Sequence, residues 1–221
     1  MPRTYGTDGA SRVEDRAWTS GICKEPVDGP RHVGPAQIDG DGQADLENHG
    51  GVHKAVLAYA AEHYPCWEVE LAGSVPFGGF GENLTLGGVT EGGVCIGDVV
   101  RVGTVTLQLS QPRQPCWKLA RRWRRKDLAA EVERNGRTGW YYRVIEVGDL
   151  CAGDAVDLLD RPHAEWTVAR ANGVMHDRGA DPEEMAALAG LAELSPSWVT
   201  TLVQRIGGRS PDASARRAGV A

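Results

Sequence analysis

The segment Gln111 to Leu119 reads QPRQPCWKL and sets one cysteine, Cys116, among two prolines, Arg113, a tryptophan and Lys118. The thiolate, not the thiol, attacks electrophiles and ligates metals, and neighbouring cations favour it; Arg113 and Lys118 are placed to supply them. Lowering the thiol pKa from about 8.5 to about 7 is worth roughly 2 kcal/mol and raises the thiolate at neutral pH from a few per cent to about half. The competing reading is a small buried hydrophobe, the usual state of a free cysteine, and the segment alone does not decide between them. Cys23, Cys66, Cys95 and Cys151 form no CxxC pair, which removes structural zinc, dithiol redox and iron–sulfur motifs. Cys95 and Cys151 hold matching places in VCIGDVVRV and LCAGDAVDL, each a Gly-Asp turn feeding a Val-rich strand, and read as packing residues.

The elements that must position Cys116 are β-strands and tight turns. Thr104 to Ser110 alternates, with Val105, Leu107 and Leu109 on one face, as a half-buried strand does. It forms a hairpin from Gly97, turning at Val102-Gly103. Pro112 and Pro115 then take the backbone out of the sheet as a stiffened loop carrying Cys116. ICKEPV and a short run before Val33 read as strands around an Asp28-Gly29-Pro30 turn, KAVLAY as a strand before a helix from about Ala61, and GWYYRVIEV as a further strand. Asp127 to Asn135 is a predicted helix ended by Gly136.

Three loops are candidates for ligand contact. His49-Gly50-Gly51 is either a ligand loop or a tight turn, and FGGFGENLTL offers Glu82 and Asn83 as polar contacts. The third, DGDGQADLE, fails as a calcium loop: counted from Asp39, Ala44 stands where glycine is needed and Gly50 where glutamate is needed. The run RRWRRK, Arg121 to Lys126, is either a solvated helix face or a holder of an anionic cofactor.

A chain of 221 residues with 29 glycines, frequent valine and scarce phenylalanine predicts one main β-rich core. The formal net charge of −6 gives no electrostatic footprint for a nucleic-acid polymer, and no apolar run resembles a signal peptide or membrane span. Cytoplasmic location with reduced thiols is expected. After Pro162 the period becomes helical, with helices over about Thr167 to Met175, Pro182 to Glu193 capped by Asp181 with Glu184 in a capping box, and Pro196 to Ile206 capped by Ser195. The predicted organisation is 1–20 poorly ordered, 21–162 the β domain, 163–207 a three-helix appendage and 208–221 a disordered tail.

KEPVDGP, GDGQADLENHGG, KAVLAYAAEHYPCW, FGENLT, SQPRQPCWKL and GRTGWYYRV, in that order, resemble the MOSC-domain family, named for the C-terminal domain of molybdenum cofactor sulfurase, and its YiiM-like branch. WTVARANGVMH and LSPSW resemble the three-helix domain of that branch. The resemblance implies a β-barrel-like fold carrying molybdenum cofactor, with Cys116 as ligand to molybdenum and catalytic residue. Lys24, His49, Lys54, Arg113 and Lys118 would neutralise the cofactor phosphate or substrate, with Asn83 and the Gly50 and Gly51 backbone giving hydrogen bonds. The implied activity is reduction of N-hydroxylated bases and hydroxylamines to amines, with electrons from a separate reductase. A homodimer is left open. Relatives usually begin with one more strand, so the resemblance also implies a translation start upstream of Met1. Two alternatives stand beside the reductase: a sulfur carrier using a Cys116 persulfide, and a cofactor carrier without turnover.

Overall fold

The computed structural model describes residues 1–45, 49–209 and 213–218. Its strands are β1 (Arg3–Tyr5), β2 (Trp18–Ser20), β3 (Arg31–Val33), β4 (Val56–Ala60), β5 (Leu84–Leu86), β6 (Val99–Val102), β7 (Val105–Pro112), β8 (Trp140–Glu146), β9 (Gly148–Leu150) and β10 (Val156–Asp160). The helices are α1 (Tyr64–Glu70), α2 (Trp117–Trp123), α3 (Leu128–Asn135), α4 (Val168–His176), α5 (Pro182–Ala189), α6 (Pro196–Ile206) and α7 (Ser214–Ala218).

A six-stranded sheet in the order β10-β6-β7-β8-β4-β5 curls into a half-barrel, antiparallel except for the β4–β5 pair, which α1 bridges. Two-stranded pairs β1–β2 and β3–β9 complete the β-structure. Period-two alternation divides the sheet between two cores. Val56 and Ala58 of β4, with Leu107, Leu109, Trp140 and Tyr142, enter the larger one. Tyr59 points the other way, into a smaller aromatic core with Tyr64, Trp67, Phe80, Leu119, Leu128 and Val132. Gly139 has φ of 72°, and a Cβ there would collide with the Ala58 carbonyl, so glycine alone lets this segment approach β4.

Several expectations change. β7 is buried on both faces rather than half-buried, because the Ser195 N–H donates to Ser110 O at 2.9 Å and Ser197 Oγ to Gln111 Oε1 at 3.3 Å. The strand also runs through Pro112, which takes the last register position opposite Trp140. ICKEPV is not a strand: Ile22 packs on the aromatic core, and Lys24 is drawn to Asp41, with Nζ 2.6 Å from Oδ2. Residues 1–20 are ordered, since Tyr5 pairs with Trp18, whose ring lies 5.2 Å from Tyr5 and 5.8 Å from Trp117.

The three C-terminal helices expected after Pro162 are present as α4, α5 and α6, and they pack onto the sheet rather than standing apart from it. Trp166, Val174, Met185, Trp198 and Leu202 share the larger core with the sheet, which is what helices of 9, 8 and 11 residues need, being too short to hold on their own. Thr167 and Asp181 cap α4 and α5, but α5 stops at Gly190, Glu184 pairs with Arg170 instead of closing a capping box, and the Ser195 side chain makes no capping bond. In the tail read as disordered, residues 213–218 include a helix, while 210–212 and 219–221 lie outside the described residues. No helix among the described residues is long and apolar enough to cross a membrane.

Candidate functional site: a buried cysteine in a cationic cleft

Cys116 is the extended residue immediately before α2, with φ −124° and ψ 169°. It lines a cleft enclosing about 80 Å³, bounded by residues of the 20–24 segment, Asp41 to Ala44, His49, Gly50, Lys54, Leu57, residues of the Phe80 to Asn83 loop, Arg113, Gln114, Lys118 and Tyr141. Burial pushes the Cys116 thiol up, but a hydrogen bond and charge from His49, the Arg113 guanidinium and the Lys118 backbone N–H outweigh it and bring the pKa down to about 7. The Lys118 N–H belongs to the first turn of α2, where helix donors have no partner within the helix. Cys116 carries none of the usual N-cap side chains, so nothing in the sequence announced a helix starting there.

His49 is oriented by Asp45, with Nδ1 3.2 Å from Oδ2, which leaves the other ring nitrogen for the sulfur. Gly50 (φ 94°) lines the cleft, and a Cβ there would sit 3.0 Å from Gln43 Oε1; Gly51 does not line it. Of the two glycines only Gly50 reaches the cleft, and HGG forms a turn that presents His49. Leu46, Glu47 and Asn48 of the neighbouring loop lie outside the described residues.

Lys24, Asp41 and Asn83 form one polar chain. Asp41 Oδ2 accepts from Lys24 Nζ at 2.6 Å and from Asn83 Nδ2 at 2.7 Å, and Asn83 Oδ1 accepts the Leu57 N–H at 2.9 Å. Burial lowers the Lys24 pKa against the pull of Asp41, while burial raises Asp41 less than Lys24 and Asn83 lower it. Asn83 thus braces the wall, and its carbonyl oxygen is already engaged. The second loop candidate, Glu82, is a structural staple: it accepts from Gly78 N at 2.7 Å, Phe80 N at 3.0 Å, Thr85 Oγ1 at 3.0 Å and the Tyr64 hydroxyl.

Arg113 is 4% exposed; its Nη2 donates to Phe80 O at 3.1 Å, and its Nη1 is buried without a hydrogen-bond partner. Lys118 is buried with Nζ 6.0 Å from the Trp117 ring centre, and Lys54 has its pKa lowered by burial against Asp45. The sequence-derived set Lys24, His49, Gly50, Lys54, Asn83, Arg113, Cys116 and Lys118 therefore meets at one cleft. Asp41 and Tyr141 were missed. Tyr141 was findable, since alternation along β8 buries Trp140 and Tyr142 and must turn Tyr141 to the opposite face, where burial raises its phenol pKa.

The run Arg121 to Lys126 fits neither reading made of it. Arg121 Nη2 donates to Arg16 O, Arg122 Nη1 to Ile22 O at 2.5 Å, Arg124 pairs with Asp15 at 2.9 Å and Arg125 with Glu131 at 2.7 Å, and none lines the cleft. These side chains tie the N-terminal segment and α3 to α2. Among the described residues no three His, Cys, Asp or Glu side chains converge on a metal position. The donor set is instead a single soft thiolate ringed by cations, which suits a metal arriving within an anionic organic group rather than a bare cation. The unpartnered Arg113 Nη1 fits that assignment, since a buried guanidinium donor lacks only an acceptor.

Fold and site together define a MOSC-domain protein: residues 45–157 match the MOSC domain and residues 166–208 the YiiM-like 3-alpha helix domain, and the chain belongs to this family. It is 40% identical over 204 residues to YflK of Bacillus subtilis (strain 168), covering 92% of this chain and 90% of that protein. It is 35% identical over 201 residues to protein YiiM of Escherichia coli (strain K12), covering 89% of each. A protein named Reductase from Gibberella moniliformis is 37% identical over 164 residues, 72% of this chain but only 29% of that longer protein. The crystal structure of YiiM from Geobacillus stearothermophilus superposes with a TM-score of 0.76 at 35% identity, covering 92% of this chain and 96% of that one. YiiM from Escherichia coli superposes at 0.79 with 30% identity, covering 99% and 98%.

Proposed function

We propose that this protein binds molybdenum cofactor in the Cys116 cleft and reduces N-hydroxylated small molecules, such as N-hydroxylated bases and hydroxylamines, to amines in the cytoplasm. The observation that carries the reading is the Cys116 thiol, buried yet held at a pKa of about 7 within a ring of cations. In this reading Cys116 supplies the thiolate ligand, and Lys24, Lys54, Arg113 and Lys118 bind the anionic portion. The bound group supplies the two-electron chemistry, N–OH plus two electrons and two protons giving N–H and water.

What the chain contributes is position and proton handling. His49, bonded on Nδ1 to Asp45, sets its ring beside the Cys116 sulfur, and the Asp41 chain keeps Lys24 aimed into the cleft. The Gibberella relative, in which the matching stretch is a minor part of a longer protein named Reductase, supports electron supply from an additional module. Here a separate reductase protein would take that role.

The test is oxidation of a reduced artificial dye by cofactor-loaded protein, with and without an N-hydroxylated base. Substrate-dependent oxidation in the wild type, absent in Cys116→Ser, is expected. Cofactor without turnover would turn the assignment to a carrier, and sulfane sulfur on Cys116 without metal would turn it to sulfur transfer.

A further inference from the structure

We propose that the C-terminal helix α7 is a clasp on the Cys116 loop, with Arg216 as its positioning residue. Glu133 on α3 has a side chain only 4% exposed, and its two oxygens are each 2.5 Å from a guanidinium nitrogen, Oε1 from Arg216 Nη2 and Oε2 from Arg217 Nη2. These are ion pairs rather than angularly aligned hydrogen bonds. The second arm of the Arg216 fork, Nη1, donates to the carbonyl of Pro115, the residue directly before Cys116. One planar guanidinium therefore joins a buried carboxylate to the backbone that carries the thiol, a bridge that needs two rigidly spaced donors.

The neighbourhood gives Glu133 little other compensation. The nearby His176 is half-buried with its Nε2 atom buried and unpartnered, and burial lowers its pKa, which favours the neutral ring. Arg216 and Arg217 are the two ion-pair partners of this carboxylate, and removing one partner of a buried pair is costly, which favours the docked helix. The Pro115 ring fixes φ, so shifting its carbonyl must turn the Cys116 backbone with it. α7 also lies beyond both matched stretches, which end at residues 157 and 208, in a part of the sequence whose composition reads as a disordered tail.

The assignment holds whatever chemistry Cys116 performs, because it concerns how the apo-protein presents the thiol. Arg217 is the internal control: it shares Glu133, whereas the hydrogen bond to Pro115 O comes from Arg216. Full-length wild type, Arg216→Ala, Arg216→Lys and Arg217→Ala are treated with iodoacetamide across a pH series, and Cys116 modification is followed by peptide mass mapping. Local opening in Arg216→Ala should raise the Cys116 rate about tenfold at every pH, with the midpoint unchanged, and Arg217→Ala should stay within about twofold of wild type. Arg216→Lys keeps the charge but not the fork, so it should recover thermal stability without recovering the slow rate.

Equal rates in Arg216→Ala and Arg217→Ala, an unchanged rate in Arg216→Ala, or a shifted midpoint would overturn the assignment. So would a parallel rise at buried Cys95, the marker of general loosening. If Arg216→Ala fails to fold, Arg216→Lys against Arg217→Ala decides by the same criteria.

Discussion

Cys95 and Cys116 are both buried, at 1% and 6% exposure, yet their surroundings drive the thiols in opposite directions. At Cys95, burial and the neighbouring Asp98 carboxylate both raise the pKa, and the sulfur rests 3.5 Å from Ala164 O. At Cys116, burial raises it too, but His49, Arg113 and a helix N–H overcome burial and bring it to about 7. Depth alone therefore says nothing about reactivity; the sign of the groups aimed at the sulfur decides it. The same Asp98 that suppresses Cys95 makes the local fold, accepting from Cys95 N at 2.8 Å and from Arg161 Nε at 2.8 Å. One cysteine marks a structural turn, and the other lies in the cationic cleft proposed as the chemical site.

The comparison sharpens when its charged groups are removed. Asp98→Ala leaves the buried Cys95 N–H unpaired and removes the carboxylate from Arg161, which is partly exposed and keeps its bond to Gly93 O; it should cost about 1.5–3 kcal/mol by denaturant unfolding, without altering Cys116 alkylation in the folded protein. A loss below about 1 kcal/mol would show that the Cys95 turn is not held by charge. His49→Ala removes the leading opponents of burial at Cys116. Its alkylation midpoint should move up from about 7 to the ordinary thiol range of about 8.5 or beyond, slowing modification at pH 7 about tenfold or more.

The sign follows from the thiolate being the reactive form: a lowered pKa makes Cys116 reactive from about pH 7 upward, and losing the depression moves that window upward. An unmoved midpoint would assign the depression elsewhere. Arg113→Met should shift the midpoint in the same direction but less, since Arg113 is a weaker influence than His49, and should leave Phe80 O unpaired at a cost of about 1–3 kcal/mol. The smallest effect belongs to Asp154→Ala in the matching turn. There the carboxylate accepts from Cys151 N at 2.7 Å in an exposed setting, and unfolding should register about 1 kcal/mol or less. Equal losses for Asp98→Ala and Asp154→Ala would erase the distinction between the two turns.

Cys116 stood out because prolines, a strand end and flanking cations coincide within nine residues of sequence, Gln111 to Leu119, but that segment alone left a packing cysteine equally open, and the family resemblance carried the choice. The matching turns were legible as well, since both place Asp three residues after Cys, where its carboxylate can accept the Cys N–H. The His49–Cys116 contact was not, because no local pattern records which distant loop the barrel folds against a thiol. Nor could composition show that Arg121, Arg122 and Arg124 are consumed by Arg16, Ile22 and Asp15. The order of residues 1–20 was hidden for a similar reason: it depends on Trp18 finding Trp117 across the fold rather than on any local period. Asn83 and Glu82 looked alike as loop polar residues, and only the backbone around them shows that both brace the walls.

The most direct test is elemental analysis of protein purified anaerobically from a host that makes the cofactor, with wild type, Cys116→Ser and Cys95→Ser side by side. The account predicts near-stoichiometric molybdenum in the wild type and in Cys95→Ser, and its loss from Cys116→Ser. Molybdenum retained in folded Cys116→Ser, or missing from folded wild type, would contradict it.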